Sequence, residues 1–292
     1  MNKIILSAIV SVFLVGCVTH QETARLENAK PTATAIPAKK NVEVIIDGVA
    51  GFQDTALQPD GKWHVHDPAR PQPPLVTPGK SFSQQAPPPS DAVVLFDGKD
   101  LAAWRDKKTG GEAQWKIEDG VAVSAKGDIR TAQSFGDVQL HLEFREPNPP
   151  KAAGGQGRGN SGIYFMGLYE IQILDCYDNK TYADGSIGGI YGQHPALATP
   201  VQPPGEWQTY DCVFTAPRFG PDGKLISPAY LTAILNGVVV QNHQEFRGAT
   251  NWKSLGEYKA HAAELPLALQ YHDNSVSFRN IWVRNVPQVN DP

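Results

Sequence analysis

Val138-Gln139-Leu140-His141-Leu142-Glu143-Phe144-Arg145 alternates apolar and polar side chains without a fault over its whole length. Successive side chains of an extended chain point to opposite faces, so this period of two writes a β-strand with one apolar and one polar face. The pattern repeats outward in both directions. Upstream, Val93 to Phe96 reads as a strand, and Trp115 to Val123 as a hairpin about Asp119-Gly120. Downstream, Ile163 to Met166 and Tyr169 to Leu174 follow each other across a turn at Gly167. Trp207 to Phe214 comes next, then Leu231 to Val240 around Asn236-Gly237, a strong short hairpin signal. Pro266 to His272 and Val276 to Arg284 close the series. No segment sustains a helical period with caps. The expectation is all-β: an antiparallel β-sandwich, built as a jelly roll.

The ends of the chain carry other information. Lys3, the apolar run Ile4 to Val15 and Cys17 have the layout of a secretory leader, too short to span a bilayer. Leu14-Val15-Gly16-Cys17 resembles the bacterial lipobox, which implies that Cys17 is lipidated and becomes the new N-terminus. By the same resemblance, Val18 after the cysteine points to the outer membrane, so a lipid-anchored protein of the cell envelope is expected. The domain reading is a leader over 1–17, a tether and Pro-rich strap over 18–90, the β domain over 91–286 and a tail over 287–292. Within the tether region, Val42 to Ile46 reads as a short strand. The segment Lys62-Trp63-His64-Val65-His66-Asp67 is too aromatic for a pure linker and is expected to lie on the main domain. Residues 68–89, ending in Pro87-Pro88-Pro89, read as an extended strap. Cys176 and Cys212 are left as either a disulfide or two buried thiols. A net charge of −4, dispersed and without a basic stretch, gives no support to nucleic acid as a partner.

Chemistry gathers in Glu170-Ile171-Gln172-Ile173-Leu174-Asp175. Glu170 and Gln172 share a strand face, and one extra residue as a bulge would return Asp175 to it. Two carboxyls flanking an amide can transfer protons on a bound sugar, or can form a solvated strand face. Asn160 and Ser161, set between glycines, either bind a ligand or make a turn. His64 and His66 would share a strand face as two metal ligands, a weak pattern. Trp207 and Trp282 read as packing residues before sugar platforms. No phosphate-binding loop, dinucleotide fingerprint or His-Glu-x-x-His is present, so no nucleotide cofactor is expected.

The ordered blocks resemble the 3-keto-disaccharide hydrolase domain family. They are Leu95-Phe96-Asp97-Gly98-Lys99-Asp100-Leu101 with Trp104, Gly159 to Phe165, Tyr169 to Asp175, Gly189-Ile190-Tyr191-Gly192, Gly205-Glu206-Trp207-Gln208, Leu235-Asn236-Gly237, Leu269-Gln270 with His272, and Phe278-Arg279-Asn280-Ile281. The resemblance covers nearly all of residues 91–286 and implies a concanavalin A-like jelly roll acting on carbohydrate. Three departures bear on substrate choice. The family's Gln-Asp-His-Gly is Gln270-Tyr271-His272-Asp273 here, an Arg frequent after the Gly-Asn-Ser-Gly strand is Met166, and Lys151 to Gly157 is a Gly-rich insertion.

The hexapeptide is also similar to the Glu-x-Asp-x-x-Glu strand of laminarinase-type glycosidases, with Gln172 in the middle and the shorter Asp175 at the end. A straight strand sets the Cα atoms of residues 170 and 175 roughly 16 Å apart. Retaining hydrolysis needs carboxyls about 5–5.5 Å apart and inverting hydrolysis ~6.5–9.5 Å, so bulging and side-chain lean must close the gap and ordinary retaining hydrolysis strains the spacing. The family name implies an easier route, in which a 3-keto group acidifies the sugar C2 proton, the aglycone leaves C1 and water adds back. On that route Glu170 or His272 is the base and Asp175 the partner acid. Asn160, Gln172 and Arg279 bind hydroxyls or polarise the ketone. A divalent metal to polarise the ketone is left open. The substrate is expected to be an oligosaccharide or 3-keto-glycoside. The rival reading is a non-catalytic glycan-binding module on the same fold.

Overall fold

The alternating octapeptide becomes the central strand of the larger of two sheets. The computed structural model describes residues 41–80 and 82–287. The chain enters with a hairpin of β1 (Glu43–Ile46) and β2 (Val49–Phe52). β3 (Val93–Phe96), β4 (Trp104–Asp106), β5 (Lys116–Glu118), β6 (Val121–Val123) and β7 (Ile129–Phe135) follow. β8 (Val138–Arg145), β9 (Ser161–Phe165) and β10 (Tyr169–Ile173) come next. β11 (Gln208–Thr215) leads into a short ribbon of β12 (Arg218–Phe219) and β13 (Leu225–Ser227). β14 (Tyr230–Leu235), β15 (Val238–Glu245), β16 (Leu265–Leu269) and β17 (Ser277–Asn285) complete the fold.

One sheet has the order β10-β9-β16-β7-β4. The other runs β15-β14-β11-β8-β17-β6-β5, with β3 also paired to β17. The pairings are antiparallel, and the nearly all-β chain forms the sandwich that its alternation demanded. Three hairpins turn on Asp47-Gly48, Asp119-Gly120 and Asn236-Gly237, each with both residues at positive φ. That backbone matches the strand twist and is open at low cost only to such pairs.

Inward residues of the two sheets meet in one core. Ile163, Phe165, Ile171 and Leu269 pack from the smaller sheet against Leu140, Leu142, Tyr210 and Phe214 from the larger. Phe165 stacks on Phe214 with ring centroids 4.7 Å apart. The Tyr210 hydroxyl crosses the core to donate to the Gln172 carbonyl at 2.8 Å. Cys176 and Cys212 are buried and unpaired.

The polar face of β8 is also buried. Residues 83–86 of the strap lie across it: the Gln85 N–H donates to Glu143 at 2.5 Å, Asn280 donates to the Ala86 carbonyl, and Ser83 bonds Asp211. His141 and Glu143 are wholly buried beneath the strap. The segment 41–76 binds the domain too. The Phe52 N–H donates to the His66 carbonyl, and Val76 and Pro74 bond Thr199. The described residues form one compact unit. The leader, Cys17 and the early tether fall outside the described residues. Among the described residues no helix is long and apolar enough to cross a membrane.

Candidate functional site

β9 and β10 are joined by a tight turn with Met166 and Gly167 both at positive φ. Their register sets Glu170 opposite Tyr164 and Gln172 opposite Gly162. All four therefore face away from the core, and Ala268 of β16 lies beside Tyr164 in the same row. Above this face is a pocket of about 520 Å³ lined by Glu170, Gln172, Tyr164, Asn160, Gln270 and His272. Gln156, Tyr182 and Tyr191 line it from the loops, and Glu43, Phe52, Thr250 and Trp252 from the rim.

Glu170 is the pocket's buried carboxyl, and the neighbouring strand makes room for it. A Cβ at Gly162 would overlap the Glu170 carboxyl, so the glycine is what lets this side chain lie flat across β9. Burial raises its pKa strongly; a hydrogen bond from Tyr164 and the charge of Lys107 pull it back only partly, leaving it at about 8. Tyr164 in turn accepts from Gln270 at 3.2 Å and carries the Lys107 ammonium 4.8 Å over its ring. Burial holds the Tyr164, Tyr182 and Tyr191 phenols above their usual pKa, so they remain hydroxyl donors.

Amides form the rest of the floor. Asn160 donates to the Gln156 carbonyl at 2.8 Å, and Gln172 donates to Gln156 Oε1 at 3.2 Å and to Gly185 O at 3.3 Å. Gln172 Oε1 is buried with no hydrogen-bond partner among the described residues, an acceptor suited to a ligand hydroxyl. Behind the pocket wall, His66 packs on Tyr182 and Tyr191 at 4.2 and 4.8 Å between centroids. Asp184 holds the His66 ring through Nδ1 at 3.2 Å.

The structure gathers four of the six expected ligand-facing residues, Glu170, Gln172, Asn160 and His272, around one pocket. It does not bring the other two there. β10 pairs with β9 without a bulge and ends at Ile173. Asp175, past the strand end, bonds Arg158 at 2.6 Å and lies outside the pocket lining. Arg279 lies on β17 of the other sheet, bound to Glu143 at 2.7 Å and stacked over Trp207 at 4.0 Å. Trp282 packs on His141 as a buried residue. His64 and His66 do not share a strand face, because His66 has a φ of 62°. His64 bonds the Thr55 carbonyl instead. Among the described residues no group of three or more His, Cys, Asp or Glu side chains is placed to hold a metal. Sequence reasoning missed the tyrosines, Gln156 and the rim aromatics. Tyr164 and Tyr191 stood inside quoted blocks, and strand parity with Glu170 was the signal that marked Tyr164.

A β-sandwich whose outer sheet face carries tyrosines, amides and one buried carboxyl beneath an aromatic rim is the make-up of a carbohydrate-active protein. The chain belongs to the 3-keto-alpha-glucoside-1,2-lyase-like domain family, which matches residues 91–284. It is similar to a crystal structure of a candidate glycosyl hydrolase from Parabacteroides distasonis ATCC 8503. Identity is 46%, coverage 74% of this chain and 93% of that one, and the TM-score 0.67. A second candidate glycosyl hydrolase from that organism shows 24% identity over 68% of this chain and 94% of that one, with a TM-score of 0.49. The carbohydrate-binding module CBM66 from Bacillus subtilis shows 13% identity over 67% and 96%, with a TM-score of 0.31. No curated protein sequence matches the chain.

Proposed function

We propose that this chain cleaves 3-keto-glycosides by proton abstraction at C2, with Glu170 as the base. The observation that carries the reading is the solitary buried carboxyl. The pocket lining holds Glu170 at its floor, and its other carboxyl, Glu43, is on the exposed rim, so Glu170 has no second buried acid beside it in the lining. Elimination beside a ketone needs one base of raised pKa and hydrogen-bond donors for the ketone oxygen, and the site supplies both.

Glu170 carboxylate takes the C2 proton, and the electron pair passes into the C2–C3 enolate of the ketone. The enolate then expels the aglycone oxygen from C1, which takes a proton from His272 at the pocket mouth. Water adds to C1 of the resulting enone and gives its proton to His272, while C2 recovers the proton held by Glu170, so that a glucoside yields 3-keto-glucose with both groups restored. Asn160 and Gln172 bind hydroxyls of the reacting ring. Tyrosine and amide hydrogens stabilise the developing enolate. In the same proposal Cys17 carries a lipid that holds the enzyme on the outer membrane, supported by the lipobox-like Leu14-Val15-Gly16-Cys17.

The test incubates the full chain with a 3-keto-glucoside bearing a chromogenic leaving group, with and without chelator. Release above the buffer rate, with enone or 3-keto-glucose as product, is the expected result, and chelator sensitivity would add a metal to the mechanism. Saturable binding of an unoxidised glycan with no release would replace the enzyme reading by a glycan-binding module.

A further inference from the structure

The matched family domain begins at residue 91, yet two residues of the pocket rim, Glu43 and Phe52, come from the β1–β2 hairpin upstream of it. That hairpin is fastened to the pocket wall. Gly51 passes so close to the backbone of His66 and Pro68 that a Cβ would overlap both. Asp184, wholly buried behind the pocket wall, accepts from the His66 N–H at 3.1 Å and lies 3.6 Å from Arg70. Gln58 donates to the Gly192 carbonyl at 2.8 Å and accepts from Arg247 at 2.5 Å.

Beside Phe52 in the pocket lining stands Trp252, 67% exposed. Lys253 links the two rings, its ammonium 3.7 Å from the Phe52 ring centroid and 4.0 Å from that of Trp252. A cation shared by two rings fixes the indole in place without burying it. The exposed indole is part of the pocket lining, where a ligand that fills the cavity would meet it. The floor is polar and the rim aromatic, so the pocket offers two distinct environments along one cavity.

We propose that Trp252, held by Lys253 and Phe52, forms a subsite for the leaving-group sugar of a disaccharide substrate. The inference rests on the proposed 3-keto-glycoside activity. Reaction at C1 and C2 requires the oxidised ring to sit at the floor beside Glu170, which leaves the departing ring at the mouth. The C–H face of a pyranose then lies on the indole while its hydroxyls face water.

The experiment compares kcat/KM of the full chain for a 3-keto-glucosyl-glucose and for methyl 3-keto-glucoside. The wild type should prefer the disaccharide, Trp252→Ala should cut that preference about tenfold, and Trp252→Phe should keep most of it. Matched thermal midpoints check that the variants are folded, as expected for so exposed a side chain. An unchanged ratio in Trp252→Ala, or no preference in the wild type, overturns the subsite. If the wild type turns over neither substrate, the activity reading fails by itself. The subsite is then judged by calorimetric affinity for an unoxidised glucose disaccharide against methyl glucoside. Loss of that preference in Trp252→Ala upholds it, and no loss overturns it.

Discussion

Glu170 illustrates how a single buried group ties stability to chemistry. Its folded pKa of about 8 lies well above the ordinary carboxyl value. Between those two values the folded state binds the proton and the unfolded state releases it, so this group makes stability fall as pH rises toward 8. Glu170→Gln removes that penalty. The variant should be more stable than the wild type at pH 7.5, on the order of 2 kcal/mol, measured by urea unfolding. The same variant should lose about 10²-fold or more in turnover, because the amide accepts no proton from C2. In the wild type the acid limb of kcat/KM should climb with pH toward about 8, the sign required of a base; a rate that falls over that limb would make Glu170 an acid instead. Among the site residues, Glu170 and Gln172 were legible because strand alternation alone puts i and i+2 on one face. Asp175 was not. Its place depended on a bulge, and the strand instead ends at Ile173, leaving the carboxyl to pair with Arg158.

At the scale of elements, the site depends on how closely two strands approach. Gly162→Ala would push the Glu170 carboxyl off β9, and its main effect should be on turnover, read as a kcat loss with a native circular dichroism spectrum. On the opposite sheet, burial alone would raise the pKa of Glu143, but bonds from His141, Asn280, the Gln85 N–H and Arg279 outweigh it and hold it at about 2. That stabilisation is present above the ordinary carboxyl pKa and is lost as pH falls toward 2. Arg279→Ala should cost about 2 kcal/mol, discounted for the partial exposure of the arginine, while sparing turnover. An Arg279→Ala variant of full stability and abolished turnover would return this residue to the sugar site. The two Asp-Gly and Asn-Gly hairpins expected from sequence form as expected, since their turn residues specify geometry by themselves. β7 was illegible: Arg130, Ala132, Gln133 and Ser134 carry little strand preference, and pairing with β16 on one side and β4 on the other decides the matter. β2 escaped notice for a similar reason, although Asp47-Gly48 before it was a usable turn signal.

Over the whole molecule, the 50 or so residues before the matched domain (41–90) behave as part of it. The hairpin builds the pocket rim and the strap buries His141 and Glu143. A chain starting at Asp91 keeps every matched family residue yet should melt well below the full chain, by differential scanning calorimetry; equal midpoints would contradict this. The aromatic run Lys62 to Asp67 carried the expectation that this region lies on the domain, whereas the Pro-rich stretch after it reads as a strap or spacer until its bonding partners are known. The sandwich as an architecture was readable, since alternation and turn chemistry agree along most of the chain. C2 proton removal in the pocket above β10 is read out by a 3-keto-glucoside deuterated at C2. The deuterated substrate should release its leaving group more slowly, or exchange that position with solvent in recovered substrate, and both effects should be lost in Glu170→Gln. Release that ignores the label, with no exchange at C2, would contradict proton removal there.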